Sequence, residues 1–182
     1  MKKLILSLFV ILTIFTITAC KKEEKKEEQN NNNQKQKEEI KTNGNSLVLY
    51  FSATGTTKKI AERIANKSNS DIIEIVPKEE YKSEDLNYNS DCRANREQND
   101  INSRPEIENE IDISTYDIVF LGYPIWWGTN PKIILTLLDT YDFTGKTIIP
   151  FCTSGSSSID NSVNELRNYN KQLTIKDGKN TE

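Results

Sequence analysis

Residues 47–64 read LVLYFSATGTTKKIAERI and combine a strand, a short loop and a helix. The first five residues are apolar, β-branched or aromatic, which is typical of a buried parallel strand. A run of small and hydroxyl residues follows, and apolar residues at helical spacing then predict a helix. A helix N-terminus offers free backbone N–H groups and a partial positive charge. This order of elements therefore predicts a loop that binds an anion, most naturally a phosphate.

Two familiar phosphate-binding loops do not match this segment. A Walker loop ends in Gly-Lys-Ser/Thr, whereas Thr56 stands where the lysine would be. A dinucleotide-binding loop needs three spaced glycines, and Gly55 is the only glycine here. The alternative to a phosphate site is an ordinary polar loop between strand and helix that binds no ligand.

The segment resembles the phosphate loop of the flavodoxin-like family. In that family an aromatic residue ends the strand, and Ser/Thr, Gly, Thr and a helical Ala follow at fixed positions. Tyr50, Ser52, Gly55, Thr57 and Ala61 match those positions. The resemblance implies FMN as the cofactor, with its terminal phosphate bound by Ser52, Ala53, Thr54, Gly55, Thr56 and Thr57.

Strand and helix patterns alternate along the rest of the chain. Strands are predicted at 71–76, 116–122 and 146–152, with helices at 131–140 and 159–169. This alternation indicates an α/β fold, a doubly wound parallel sheet in three layers. Ligands of such sheets bind at the carboxyl ends of the strands, so we expect the loops after strands one, three and four to meet.

The loops after the third and fourth predicted strands also have unusual sequences. The first of them contains both tryptophans of the chain, Trp126 and Trp127, and the second, residues 153–158, is rich in serine with one glycine. Two indoles in one loop are costly to expose to water unless they cover something flat and apolar, such as an isoalloxazine ring. We expect one tryptophan to pack against the protein and the other to stack on the flavin. The Ser/Gly loop offers donors to the pyrimidine edge of the ring but no aromatic side chain. The predicted cofactor residues of these loops, which also resemble one branch of the family, are Pro124, Ile125, Trp126, Trp127, Gly128, Thr153, Ser154, Gly155 and Ser156.

Two regions depart from the family pattern. Residues 81–112 are a long charged stretch in place of a clean second helix. Arg93, Arg96 and Arg104 could face a partner or substrate there, and ordinary solvated arginines are the alternative. The sequence offers a fifth strand at 172–176 but no last helix. We therefore expect the sheet face beside the first helix to be incompletely covered, which would lower stability.

Residues 1–20 have the pattern of an export signal. Two lysines precede the apolar segment 4–17, and the tetrapeptide Ile17-Thr18-Ala19-Cys20 resembles a bacterial lipobox. The resemblance implies cleavage before Cys20 and acylation of that residue, which gives stable membrane attachment. We therefore expect an exported lipoprotein anchored at the cell surface or the periplasmic face. An uncleaved anchor or an unlipidated signal would also export the protein.

Residues 21–45 are a low-complexity run with a single apolar residue, Ile40, and are expected to form a disordered tether. Residues 46–182 are predicted to be the FMN-binding domain. This domain has 15 Lys and Arg against 21 Asp and Glu. Such an acidic balance does not suit nucleic acid and favours a redox partner protein with a basic docking surface.

The chain has no histidine, which excludes Ser-His and Cys-His triads and nearly all catalytic zinc sites. Any redox chemistry must then come from a cofactor. Cys152 ends an apolar strand and is expected to pack in the core, whereas Cys92 lies in a polar stretch without a partner motif. A disulfide between these two cysteines is the weaker option.

These features together predict an FMN-binding protein that transfers electrons at the membrane surface. The rival interpretation is an NAD(P)H-dependent quinone or flavin reductase on the same fold, which needs open space over the flavin. A third interpretation is a binding module that keeps the fold but holds no flavin.

Overall fold

The structure is a computed structural model and describes residues 45–181. The predicted lipobox and the predicted tether up to residue 44 lie outside the described residues. Within the described range, no helix has the length and apolar character that a membrane span requires.

The centre of the described region is a parallel sheet. Its strands are β1 (Ser46–Tyr50), β2 (Asp71–Glu74), β3 (Ile118–Pro124), β4 (Thr147–Thr153), β5 (Thr174–Ile175) and β6 (Lys179–Asn180). The spatial order is β2-β1-β3-β4-β5, and β6 pairs with β4 further along the same edge. The chain therefore winds outward from β1 in both directions, which is the doubly wound, flavodoxin-like sheet expected from the sequence.

The helices between the strands are amphipathic. They are α1 (Thr56–Ser68), α2 (Arg93–Asn99), α3 (Lys132–Thr140) and α4 (Asp160–Tyr169), with a short 3-10 helix (Ser83–Leu86) before α2. On α1 the buried Ile60, Ala61 and Ala65 share one face, which follows from their spacing of one and four residues. The helix ends at Asn69, which adopts a left-handed conformation with φ 51° and donates its N–H to the carbonyl of Ala65.

The two faces of the sheet pack against different helices, because alternate residues of a strand point to opposite sides. Val48, Tyr50 and Phe120 pack with the apolar face of α1. The other face forms the larger core, in which strand residues pack with residues of α3 and α4. Helices on both sides of a central sheet confirm the predicted three-layer architecture.

The face beside α1 is more closed than the sequence led us to expect. Among residues 45–181, β6 is the last helix or strand. Phe120 and Phe151 are nevertheless each only 3% exposed, and Ile118 and Ile149 are partly buried. Part of the reason is that the Phe151 ring lies directly over Gly122, where an added Cβ would be 2.2 Å from Phe151 Cζ.

The long charged stretch contains more structure than its composition suggests. The sequence predicted a long charged stretch in place of a clean second helix, and within residues 81–112 the structure has the seven-residue α2 and the 3-10 helix. Arg93 pairs with Glu97 on the next turn of α2 at 2.7 Å, which is typical helix spacing. Arg96 and Arg104 also form ion pairs within the chain, with Asp91 and Asp139 respectively.

The two cysteines of the described region are free and buried. Cys152 is fully buried in the larger core, which confirms its predicted packing role. Cys92 directly precedes α2 and is 5% exposed despite its polar sequence context. The optional disulfide between Cys92 and Cys152 is therefore not formed.

Candidate functional site

Three loops meet at the carboxyl ends of β1, β3 and β4 and enclose a cleft of about 700 Å³. This is the switch point of the sheet, where β1 and β3 lead to connections on opposite sides. The predicted residues that line the cleft are Ala53, Thr54, Thr57, Pro124, Ile125, Trp126, Trp127, Gly128, Ser154, Gly155 and Ser156. The expected convergence of the three loops is thus present in the structure.

Four of the predicted residues do not line the cleft, namely Ser52, Gly55, Thr56 and Thr153. Gly55 and Thr56 form the boundary between loop and helix, and Ser52 lies at the end of β1. Thr153 is buried at the end of β4 and forms a 2.8 Å hydrogen bond between its hydroxyl and that of Thr57. Its side chain therefore stabilises the loop after β1 through the buried hydroxyl of Thr57.

The loop after β1 presents an uncapped helix N-terminus. Gly55 precedes α1 with φ 79°, a left-handed conformation that glycine adopts without strain. Within the part of the chain that the structure describes, no side-chain hydrogen bond caps the first turn, so its backbone N–H groups are available to an acceptor. The Thr54 and Thr56 hydroxyls lie 3.2 Å apart on the exposed side of the loop. The free N–H groups and hydroxyls together make a donor-rich site for an anion.

Ser52 adds an unusual observation at the start of this loop. Its Oγ is buried and has no hydrogen-bond partner within the described part of the chain. Leaving a buried hydroxyl unpaired costs about 1–3 kcal/mol. A ligand oxygen in the loop would supply the missing partner, so the residues present fit a bound phosphate.

The loop after β3 forms a tight turn at Trp127 and Gly128. The Trp126 N–H donates to the Thr129 carbonyl at 2.9 Å, and the Thr129 N–H donates back to the Trp126 carbonyl at 3.0 Å. Both central residues are left-handed, with φ 52° at Trp127 and 78° at Gly128. For a non-glycine residue this conformation costs about 1–2 kcal/mol. Other contacts must therefore stabilise the left-handed backbone conformation of Trp127.

The two tryptophans have different environments. Trp126 packs edge-to-face against Phe51 and Tyr81, with ring centroids 5.6 and 5.1 Å apart. Trp127 is 61% exposed and lines the cleft. The structure therefore assigns the packing role expected for one indole to Trp126. Trp127 is the one that is free to stack on a ligand.

Sequence reasoning missed one wall of the cleft. Leu86, Tyr88, Ala94 and Asn95 line it from the connection between β2 and β3, and Ser157 extends the loop after β4. The only available signal was an aromatic residue, Tyr88, in an otherwise polar stretch.

This wall is joined to the tryptophan loop through α2. Gln98 Nε2 donates to the carbonyls of Trp126 and Asn130, each at 3.2 Å. Gln98 Oε1 accepts from the Lys132 backbone N–H at 3.1 Å. One side chain of α2 therefore holds both ends of the loop between β3 and α3.

The electrostatic character of the cleft is neutral. Among the described residues that line it, none is Asp, Glu, Lys or Arg. On the strands just before the cleft, burial raises the pKa of the Cys152 thiol to about 11 and also raises the pKa of the Tyr123 phenol. Both groups are therefore neutral at physiological pH. The cleft can bind a phosphate with N–H and hydroxyl donors and a flat apolar ring with Trp127.

Comparisons with known proteins agree with this geometry. The family model described as flavodoxin matches residues 45–182. A protein from Bacteroides eggerthii assigned as a flavoprotein is 44% identical, with a TM-score of 0.75 over 76% of this chain and 88% of that one. Its counterpart from Bacteroides uniformis is 39% identical, with a TM-score of 0.74 over 76% and 90%.

A flavoprotein from Lactobacillus acidophilus solved in complex with FMN is 28% identical, with a TM-score of 0.63 over 75% of this chain and 93% of that one. No curated protein matches the chain. The family match covers all of the sheet, the helices and the three cleft loops. This chain therefore belongs to the flavodoxin family.

Proposed function

We propose that this protein binds FMN noncovalently and acts as an electron carrier. The observation that carries the proposal is the presence of three features in, or directly beside, one cleft. These are the uncapped N-terminus of α1, the unpaired buried hydroxyl of Ser52 and the exposed indole of Trp127. A relative with 28% identity was crystallised with FMN, which supports the same ligand here.

The phosphate end of the ligand fits the loop after β1. Backbone N–H groups of the first turn of α1 would bind the phosphate oxygens, with the Thr54 and Thr56 hydroxyls as further donors. Ser52 Oγ would gain the partner that it lacks. Because no Lys or Arg among residues 45–181 lines the cleft, this binding would rest on neutral donors and the helix dipole.

The ring end of the ligand fits the loops after β3 and β4. Trp127 offers an indole face for stacking, which is favourable between flat aromatic groups. Ser154 and Ser156 border the same cleft and supply hydroxyl groups. When bound, FMN would supply one- and two-electron redox chemistry. The residues of the chain orient the ring and exclude water from one side of it.

The neutral cleft favours the carrier over the reductase. In this proposal the N-terminus of α1 is occupied by the FMN phosphate, so the pyrophosphate of a nicotinamide dinucleotide, and the further phosphate of NADPH, would need other donors, commonly Arg or Lys. Among residues 45–181, the cleft lining contains neither side chain. A protein that receives electrons from another protein needs no such cation. The acidic balance of residues 46–182 suits a partner with a basic docking surface.

The proposal includes a location at a membrane. The tetrapeptide Ile17-Thr18-Ala19-Cys20 supports lipid attachment at Cys20, and the polar run 21–45 would separate the domain from the lipid surface. The carrier would then exchange electrons with partners at the outer side of that membrane.

A flavin titration tests the binding step. Residues 21–182 are purified, FMN is added, and quenching of FMN fluorescence is followed together with the thermal midpoint. We expect quenching, a raised midpoint and at least a tenfold loss of affinity in a Ser52→Ala, Thr54→Ala variant. A folded protein that leaves FMN fluorescence unchanged would show that the domain is a flavin-free module.

A second measurement separates the carrier from the reductase. The FMN-loaded protein is mixed with NADH or NADPH and a soluble quinone. The carrier gives no steady oxidation of the nucleotide until a flavodoxin reductase is added. Steady oxidation without any added reductase would instead establish the enzyme.

A further inference from the structure

The indole of Trp127 is held by residues outside its own loop. Trp127 Nε1 donates a hydrogen bond of 3.0 Å to Asn95 Oδ1 on α2. The amide of Asn95 also donates from Nδ2 to the carbonyls of Tyr88, at 3.1 Å, and of Ser90. The acceptor and the donor of one amide are thus both in use, which fixes the side chain of Asn95 in one orientation.

Tyr88 provides a second contact to the same indole. Its ring lies edge-to-face against Trp127, with centroids 6.4 Å apart and an angle of 86° between the planes. Tyr88 also lines the cleft and is 68% exposed. An aromatic contact of this geometry is favourable and directional. Asn95 therefore connects the backbone of Tyr88 to the edge of Trp127, while the Tyr88 ring contacts the indole directly.

Trp127 needs such support because its own turn does not provide it. The residue is 61% exposed and sits at φ 52°, so few neighbours restrict its side-chain rotamers. Gln98 holds only the backbone of the loop, at Trp126 and Asn130, and does not contact the indole through these bonds. A binding surface whose side chains are already ordered avoids the entropy cost of ordering them on binding.

We propose that Asn95 and Tyr88 are positioning residues of the flavin site, and that they hold the Trp127 indole in the orientation that receives the isoalloxazine ring. This inference rests on the proposed FMN binding. It makes the connection between β2 and β3 a functional part of the site. That connection follows β2, whereas the switch point lies between β1 and β3. It also explains why α2 forms in a polar, charged stretch: its Asn95 and Gln98 face the tryptophan loop.

The test compares four variants of the 182-residue chain, purified in detergent. Asn95→Ala removes the acceptor and both donors, Asn95→Asp keeps only the acceptor, and Tyr88→Ala removes the ring. Asn89→Ala is the matched control, since Asn89 lies in the same segment outside the cleft and only its backbone N–H takes part in a described hydrogen bond. Thermal midpoints without FMN identify any variant that fails to fold.

The first readout is the affinity for FMN and the fluorescence lifetime of the bound flavin. Contact with an indole quenches flavin emission within picoseconds, so a displaced Trp127 adds a nanosecond component. We expect Asn95→Ala and Tyr88→Ala to weaken binding about 3–10-fold and to add that component. Asn95→Asp should lie between Asn95→Ala and the wild type, because it keeps the acceptor for the indole but loses the donors to the carbonyls of Tyr88 and Ser90. Asn89→Ala should match the wild type. Wild-type affinity and lifetime in folded Asn95→Ala would overturn the inference while FMN binding stands.

The second readout needs no flavin and therefore stays informative if FMN binding itself fails. Tryptophan anisotropy decay is recorded for the flavin-free protein, and the signal of a Trp127→Phe variant is subtracted to isolate Trp127. We expect Asn95→Ala to enlarge the fast component of this difference signal, because the indole gains rotational freedom. An unchanged decay would show that Asn95 does not position the indole.

Discussion

The hydroxyl oxygens of Thr57 and Thr153 lie 2.8 Å apart and join the first turn of α1 to the carboxyl end of β4. Thr57 is 1% exposed and Thr153 9%, so neither hydroxyl has ready access to water. The backbone continues the link, because the Ile125 N–H donates to the Thr153 carbonyl at 2.9 Å. All three cleft loops are therefore tied together at Thr153.

Loss of one hydroxyl of this pair should destabilise the fold. In Thr57→Val the Thr153 hydroxyl stays buried without its partner, and we expect the free energy of unfolding to fall by about 1–3 kcal/mol. The double variant Thr57→Val, Thr153→Val removes both polar groups and should lose less than the sum of the single variants. Urea denaturation of the flavin-free proteins measures this. Strictly additive losses would mean that the two hydroxyls do not interact.

The two tryptophans should respond differently to truncation. Trp126→Ala removes a ring packed between Phe51 and Tyr81 and should lower the free energy of unfolding by about 3–5 kcal/mol. Trp127→Ala removes an exposed ring and should change stability by less than about 1 kcal/mol but weaken FMN binding about 3–10-fold. Denaturation and fluorescence titration of both variants separate the roles. Equal losses of stability would contradict the division.

Gly122 is expected to tolerate no side chain. A Cβ at this position would lie 2.2–2.8 Å from three ring atoms of Phe151, so Gly122→Ala should cost about 1–3 kcal/mol of stability. Gly155→Ala is the control, because a Cβ there meets nothing within 4 Å. In a Phe151→Ala background the cost of Gly122→Ala should shrink. A cost that stays the same in that background would place the strain elsewhere.

The buried thiol of Cys152 predicts a pH dependence of stability. Burial raises its pKa in the folded state to about 11 from an ordinary value of 9.0, so the folded state favours the protonated form. The stabilisation is fully present below pH 9 and is lost as the pH rises towards 11. Relative to Cys152→Ala, the wild type should lose up to about 2 kcal/mol by pH 10.5. A pH-independent difference between the two proteins in urea denaturation would refute this.

Lipid attachment should depend on Cys20. In bacterial cells that express the full chain, Cys20→Ala should prevent lipid attachment and cleavage before residue 20. Incorporation of labelled palmitate into the wild type, absent in Cys20→Ala, measures the lipid directly. The control is the variant Cys92→Ala. Cys92 lies in the folded region, so this variant should remain labelled. Labelling of Cys20→Ala would place the lipid on another residue.

Much of the fold was predictable because local patterns encode it. The apolar run of β1, the loop of hydroxyl residues and the helical spacing of α1 lie within residues 47–64, and each depends on near neighbours. The parallel arrangement of the strands followed from the alternation of strands and helices. The meeting of three loops followed from that arrangement, so most cleft residues could be named from the sequence.

Residue patterns alone were therefore enough to predict the sheet and its layers, and they also predicted a phosphate-binding loop and different roles for the two tryptophans. Packing in three dimensions was needed to show which indole lies against Phe51 and Tyr81 and which one stays exposed in the cleft, because residues far from the tryptophan loop supply that packing. It also decided that α2 joins the site through Asn95, 32 residues from Trp127, and that Thr57 pairs with Thr153, 96 residues away. Such contacts leave no periodic signal, since they form only when distant segments are brought together by packing.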